Sequence, residues 1–199
     1  MAGGRQRQFD EQQALKSAMR VFWKKGYAGA SLSDLTTGMG INKPSLYATF
    51  GNKEQLFVQA TEYYIEHYAT PHITYLQQEN VSLGERLKGY LFSALRSQCD
   101  EEEPKGCYIS LCVSESAGEC LPEEAFDTIE KARDFTEAFL TSFLEEEKNK
   151  GNLPARHNSG ELALYLVTLL HGTAALARGG KKITALKPVI ERALLALEL

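Results

Sequence analysis

Apolar residues recur along almost the whole of this chain with the period of a helix. Between Phe9 and Lys25, Leu15, Ala18, Met19 and Phe22 fall at i, i+3, i+4 and i+7, one helical face. The pattern returns at Leu83, Leu87, Leu91 and Leu95, through Phe126, Ile129, Phe139 and Phe143, and over Leu186, Val189, Ile190, Ala193, Leu194 and Leu197. No run combines β-branched residues, strict alternation and turn signals, so strands are not expected. The chain should be all-α, with about nine helices.

Capping residues mark where those helices start and stop. Lys24, Lys25 and Gly26 should end the first helix. Ser31 with Asp34 three residues on resembles a capping box, and Leu32, Leu35 and Met39 share the face that follows. Gly38 and Gly40 should break this short helix; Asn42 or Lys43 caps the next, with Pro44 allowed in its first turn. Gly51 should stop it, and Asn52 then opens a longer helix to about Gln77, bent at Pro71. Ser82 with Glu85 begins another. After an acidic loop, "CYISLCVSESAG" reads as helix or strand by pattern, and its place among helices favours helix. Pro122-Glu123-Glu124 opens a long helix to Gly151. "ELALYLVTLLHGTAALARGG" is apolar nearly all round and should be buried on every side. The last helix should run roughly from residue 183 to 197.

A chain of 199 residues can bury a sizeable core. No apolar leader opens the sequence, and the greasiest stretch, Leu162 to Ala177, contains His171 and is short for a bilayer. The expectation is a cytoplasmic protein with no membrane partner. Its four cysteines (Cys99, Cys107, Cys112, Cys120) form no CxxC pair and read as reduced thiols. Charge is uneven. Residues 1–60 hold eight Lys/Arg against four Asp/Glu, whereas residues 61–199 hold fourteen against twenty-two. A basic head on an acidic body suggests that only the head meets a polyanion.

The short helix after Asn42 has an unusual outer face. With Leu46 at zero and about 100° per residue, Phe50 falls near 40°, Tyr47 near 100°, Pro44 near 160°, Ala48 near 200° and Ser45 near 260°. Leu46 and Phe50 define the buried side, and the outward arc is small and nearly uncharged. Such a face suits a DNA major groove, where Ala and Pro can touch thymine methyls and Ser can bond a base edge. Lys43 and Tyr47 flank the arc within reach of phosphates. Lys53 adds charge beside the free amides of the next helix start. The preceding short helix would brace the arrangement as in a helix-turn-helix.

The ordered set Gly40, Ile41, Ser45, Leu46, Tyr47, Phe50, Lys53, Glu54 and Leu56 resembles the DNA-binding head of TetR-type bacterial repressors. Phe22, Gly26 and Tyr27 at the end of the first helix, and the "SLSDL" start at Ser31, fit the same pattern. The resemblance covers roughly residues 9–57. It implies an all-helical homodimer with a three-helix DNA-binding domain at 1–55 and a helical effector-binding and dimerisation domain at 56–199. It implies phosphate contacts by Tyr47 and Lys53 and by Ser31 or Ser33, and base reading by Lys43, Pro44, Ser45 and Thr49. The expected partner is a double-stranded palindromic operator, released when a small-molecule effector binds. The dimer should form through the last two helices, where Gly172, Ala174, Ala175 and Ala177 allow close approach.

For the effector, Tyr64, Tyr68, Phe92, Tyr108, Cys112, Phe139 and His171 are the candidates, each with ordinary core packing as its competing role. His171 is either a buried, satisfied histidine or a ligand-orienting group. No metal-ligand spacing appears, and neither a cofactor nor a catalytic set (GxSxG, HExxH, P-loop) is present, so no enzyme is expected. The alternative is a thiol or redox sensor using Cys107, Cys112 and Cys120, which requires a lowered thiolate pKa; the neighbouring acids Glu101 to Glu103 would work against one.

Overall fold

The computed structural model describes residues 9–116 and 121–198. Cys120, one of the cysteines singled out above, lies outside them. Among the described residues there are nine α-helices and no strand. They are α1 Glu11–Gly29, α2 Leu32–Met39, α3 Lys43–Phe50, α4 Lys53–Tyr64, α5 Leu83–Gln98, α6 Tyr108–Ser116, α7 Glu123–Asn149, α8 Ser159–Arg178 and α9 Ile183–Leu197.

Most boundaries follow local chemistry. Ser31 and Asp34 form the reciprocal capping box of α2, Asn42 caps α3 by accepting the Ser45 amide, and Asn52 with Gln55 forms a second capping box on α4. Each satisfies amides that the first helical turn leaves without partners. The ambiguous apolar stretch from residue 108 is helix, as its surroundings favoured.

Three expectations need correction. First, Gly26 does not end α1 but kinks it, with φ 72° and ψ 177°, and the helix resumes to Gly29. The cause is tertiary. The Glu115 carboxylate lies against the glycine, where a Cβ would stand 2.0 Å from Oε1, and its Oε2 accepts the Tyr27 amide at 2.8 Å. Second, Gly38 sits inside α2, and only Gly40 (φ 67°) ends it. A Cβ at Gly38 would come within 2.7 Å of Val21 Cγ2, so this glycine serves the packing of α2 on α1. Third, α4 is not continuous to Gln77. It passes into a π-helical turn, Ile65–Ala69, and then a 3-10 segment, Thr70–Tyr75. Pro71, at the start of that segment, has no amide to continue an α ladder.

The buried side chains form two clusters. One joins the head to part of the body: Met19, Phe22 and Trp23 of α1, Leu35, Leu46 and Phe57 meet Tyr108 and Cys112 of α6 and Ile129 of α7. The Phe22 and Phe57 rings cross edge to face at 5.1 Å, and Trp23 does the same with Tyr64 at 5.0 Å. The other lies between α5, the distal half of α7, α8 and α9, with Leu91, Leu140, Leu166 and Ile190 among its members. A buried ion pair, Arg86–Glu147, straps this second cluster, and Arg86 also donates to the Leu76 carbonyl at 3.0 Å.

Within the single chain α8 is not covered on every side. Leu164, Tyr165 and Leu176 are 52%, 41% and 46% exposed. They share a flank that α5, α7 and α9 do not reach, and Val189 and Leu195 of α9 are exposed too. By length and composition α8 would also pass as a membrane span; its other flank is buried in the second cluster.

Candidate nucleic-acid interface

The turn between α2 and α3 is built from three consecutive stops and starts. Gly40 takes the left-handed conformation that a Cβ disfavours (φ 67°, ψ 26°). The Ile41 amide then reaches back to the Thr36 carbonyl at 3.1 Å, closing the end of α2. Asn42 accepts the Ser45 amide at 2.8 Å and starts α3 at once. Leu46 and Phe50 are buried (0% and 5% exposed), which fixes the roll of α3 about its axis. Lys43, Pro44, Tyr47 and Ala48 consequently face outward, with Ser45 and Thr49 half-buried at the margins. The uncharged arc expected from the sequence is therefore presented to solvent, with Tyr47 49% exposed.

Lys53 in the first turn of α4 is half-buried, its Nζ 4.2 Å from the centroid of the Tyr27 ring. That distance is a cation–π contact. Burial pulls its pKa below the usual lysine value, and the Glu115 charge pushes it back up. The Tyr27 ring is held in turn by Phe57, edge to face at 5.1 Å, and by Phe22, stacked at 6.2 Å. Tyr27 and Glu115 thus shape the lysine's setting, and neither was a sequence candidate. No sequence signal links them, since Glu115 is 88 positions from Tyr27.

Ser31 has a different local duty. Its hydroxyl accepts the Asp34 amide and donates to the Asp34 carboxylate at 2.7 Å. Lys25 bonds the same carboxylate at 2.5 Å, and the hydrogen bonds from Lys25 and Ser31 bring the Asp34 pKa down to about 2. Ser33 stands exposed two positions further on, with no such commitment among the described residues.

The effector candidates divide. Tyr64, Tyr68, Tyr108 and Cys112 come together where α4 and its π turn cross α6. Tyr64 stacks with Tyr108 at 5.1 Å and with Tyr68 at 5.5 Å. Tyr64 Oη donates to Cys107 Sγ at 3.4 Å, Tyr68 Oη to Glu103 Oε1 at 2.8 Å, and Tyr108 Oη lies 2.9 Å from the Thr61 hydroxyl. Burial raises the tyrosine pKa values at 64 and 108, so both are neutral. Phe92, Phe139 and His171 lie elsewhere. Phe92 lines an open groove of about 670 Å³ with Tyr75 and Lys187. Phe139 stacks on Phe135 along α7. His171, on α8, has its pKa lowered by burial and is neutral at physiological pH.

Residues 14–60, which carry this turn, match the family described as bacterial regulatory proteins, tetR family. The HTH-type transcriptional repressor ComR of Escherichia coli K12 is 31% identical over 189 residues, covering 94% of this chain and 88% of ComR. This chain belongs to the tetR family. Among solved structures, a cysteine mutant of the TetR family regulator CifR, complexed with a 26-bp double-strand operator DNA, superposes with a TM-score of 0.84 at 32% identity. The match covers 96% of this chain and 99% of that one. Reduced NemR of E. coli shares the fold with a TM-score of 0.77 at 22% identity. The family match spans α2 and α3 with most of α1 and α4, and the protein is a helix-turn-helix transcriptional regulator.

Proposed function

We propose that this TetR-family regulator is a ligand-responsive repressor that binds a palindromic operator as a homodimer and is released by a small molecule. The observation that carries the reading is the outward face of α3. A short helix with only Lys43, Pro44, Ser45, Tyr47, Ala48 and Thr49 outside its buried pair can approach base edges closely. In this reading Lys43, Pro44, Ser45 and Thr49 meet bases, while Tyr47, Lys53 and Ser33 meet phosphates. Ser31 contributes mainly by holding the N-terminus of α2, whose free amides favour an anion. Residues 1–55 form the DNA-binding domain and 56–199 the effector and dimerisation domain.

The exposed apolar flank of Leu164, Tyr165 and Leu176 on α8, continued by Val189 and Leu195 on α9, supports dimerisation through the last two helices. The gathering of Tyr64, Tyr68, Tyr108 and Cys112 where α4 and its π turn cross α6 supports an effector site there, since aromatic rings with a few convergent polar groups suit a small-molecule site. We favour this reading over thiol sensing. Burial raises the Cys99 thiol and raises that of Cys112 strongly, the opposite of what a reactive thiolate needs. A cytoplasmic repressor of this kind works by occupying its site, with no cofactor or enzymatic step.

Selection of bound duplexes from a random library tests the reading. Enrichment of a palindrome, with affinity falling steeply as salt rises, is the expected result. A folded dimer that enriches no sequence would overturn the operator reading.

A further inference from the structure

A second cleft, of about 770 Å³, opens between the head and the body, away from the outward face of α3. Four cationic side chains line it: Arg20 and Lys24 from α1, Lys105 from the loop before α6, and Arg178 from the end of α8. Two carboxylates, Glu102 and Glu103, share the lining. Glu103 is already committed. It receives two hydrogen bonds from Arg20, at 2.7 and 2.5 Å, and one from Tyr68. Glu102 is exposed at the rim.

The walls are bonded into place before any ligand arrives. Lys105 Nζ donates to the carbonyls of Cys99 and Asp100, and the Gly106 amide to that of Gln98 at 2.8 Å, which closes the loop on itself. Gly106 (φ 85°) lies so close to α8 that a Cβ would stand 2.8 Å from the Ala174 carbonyl oxygen. Arg178 crosses from body to head, its Nη2 donating to the Trp23 carbonyl at 3.0 Å. That is one of five available N–H donors. Arg178 is half-buried and forms no ion pair among the described residues; burial lowers its pKa, against the longer-range pull of Cys107, Cys112, Tyr64 and Glu115. The guanidinium therefore has donors left for an anion.

We propose that this cleft binds a small anion of two or more charges, such as a phosphate ester, between Arg178 and Lys105 of the body and Arg20 and Lys24 of the head. Arg20 keeps its Nε and Nη2 on Glu103, so the guanidinium with donors to spare is that of Arg178; with the Lys24 ammonium and the remaining N–H groups of Arg20 and Lys105 it suits a tetrahedral phosphate with several acceptor oxygens. Because the ligand joins α1 to α8, it biases how the head sits on the body. This is a second site, apart from the tyrosine cluster around Tyr64 and Tyr108; the binding itself stands apart from the effector reading, and only its effect on DNA rests on it.

The test uses the full chain without DNA and inorganic pyrophosphate as probe, with sodium chloride at matched ionic strength as control. Titration calorimetry should give saturable one-site binding, and Lys24→Gln and Arg178→Gln should each weaken it roughly tenfold. Lys24 is exposed, so its variant keeps the test valid if Arg178→Gln fails to fold. Equal responses to pyrophosphate and chloride, or unchanged affinity in the variants, would overturn the proposal. A drop in operator affinity for Arg178→Gln with no anion added, together with a shallower salt dependence, would make the cleft a DNA-phosphate contact and overturn it too. Release of labelled operator by pyrophosphate is read separately: binding without release upholds the anion site and refutes the effector reading there.

Discussion

Tyr47 and Gly26 show how differently single residues bear on this regulator. Tyr47 is exposed and outside both core clusters, so losing its hydroxyl should leave the fold intact. Tyr47→Phe should lower operator affinity by roughly tenfold, the worth of a hydrogen bond to a charged phosphate, with an unchanged melting temperature. Unchanged affinity in a mobility-shift titration would remove Tyr47 from the contact set. Gly26→Ala should do the reverse damage. It forces a side chain into a backbone conformation that costs about 1–3 kcal/mol and onto the Glu115 carboxylate. Urea unfolding should show that loss, and operator binding should weaken with it because Tyr27 and Lys53 shift. At this scale the sequence was readable wherever the partner was near in the chain. Ser31 with Asp34, Asn42 with Ser45, and the Leu46–Phe50 pair all lie within four residues of each other. The Glu115 contact to Tyr27 was not, because nothing local marks a carboxylate as the partner of a distant amide.

Among the elements, the strap between α5 and α7 has a pH signature. Burial alone would raise the Glu147 pKa, but hydrogen bonds from Arg86, Asn152 and Lys150 outweigh it and bring it from 4.5 to about 2. A carboxylate whose folded pKa is depressed contributes stability that is complete above its unfolded value and lost as pH falls through the folded one. Wild-type stability should therefore decline between about pH 4.5 and 2 with a contribution from this group. Glu147→Ala should cost about 3–5 kcal/mol at neutral pH, since Arg86 is left buried without its partner, and should flatten the acid decline in denaturant titrations across that window. Helix identity was legible throughout, because period and caps are local. The end of α4 was not: an α turn and a π turn differ by one residue in hydrogen-bond register, and the apolar pattern around Tyr64 and Tyr68 fits both.

For the molecule as a whole, the uncovered surface of α8 and α9 is where the proposed dimer would form. The all-round apolar character of α8 was plain in the sequence, but which flank stays uncovered depended on where α5, α7 and α9 pack. Leu195 is 80% exposed, so Leu195→Asp should leave the monomer folded. In the proposed interface the new charge should weaken dimerisation by about 2–3 kcal/mol. Sedimentation equilibrium should show monomer at micromolar concentration, and operator affinity should fall with it. A variant that remains dimeric would move the interface away from α9.

The π turn at Ile65–Ala69 has one more consequence, for sequence change over generations. Such a turn is wound more loosely than the α-helix before it. Because it holds one residue more than an α turn, deleting one residue there would return it to α geometry and leave the residues on either side in their present register. Loss of a single residue within these five positions is therefore absorbed locally, without turning the reading head against the body to which one buried cluster joins it. Relatives one residue shorter here would be expected to hold their heads at the same azimuth, and so to favour operators with the same half-site spacing.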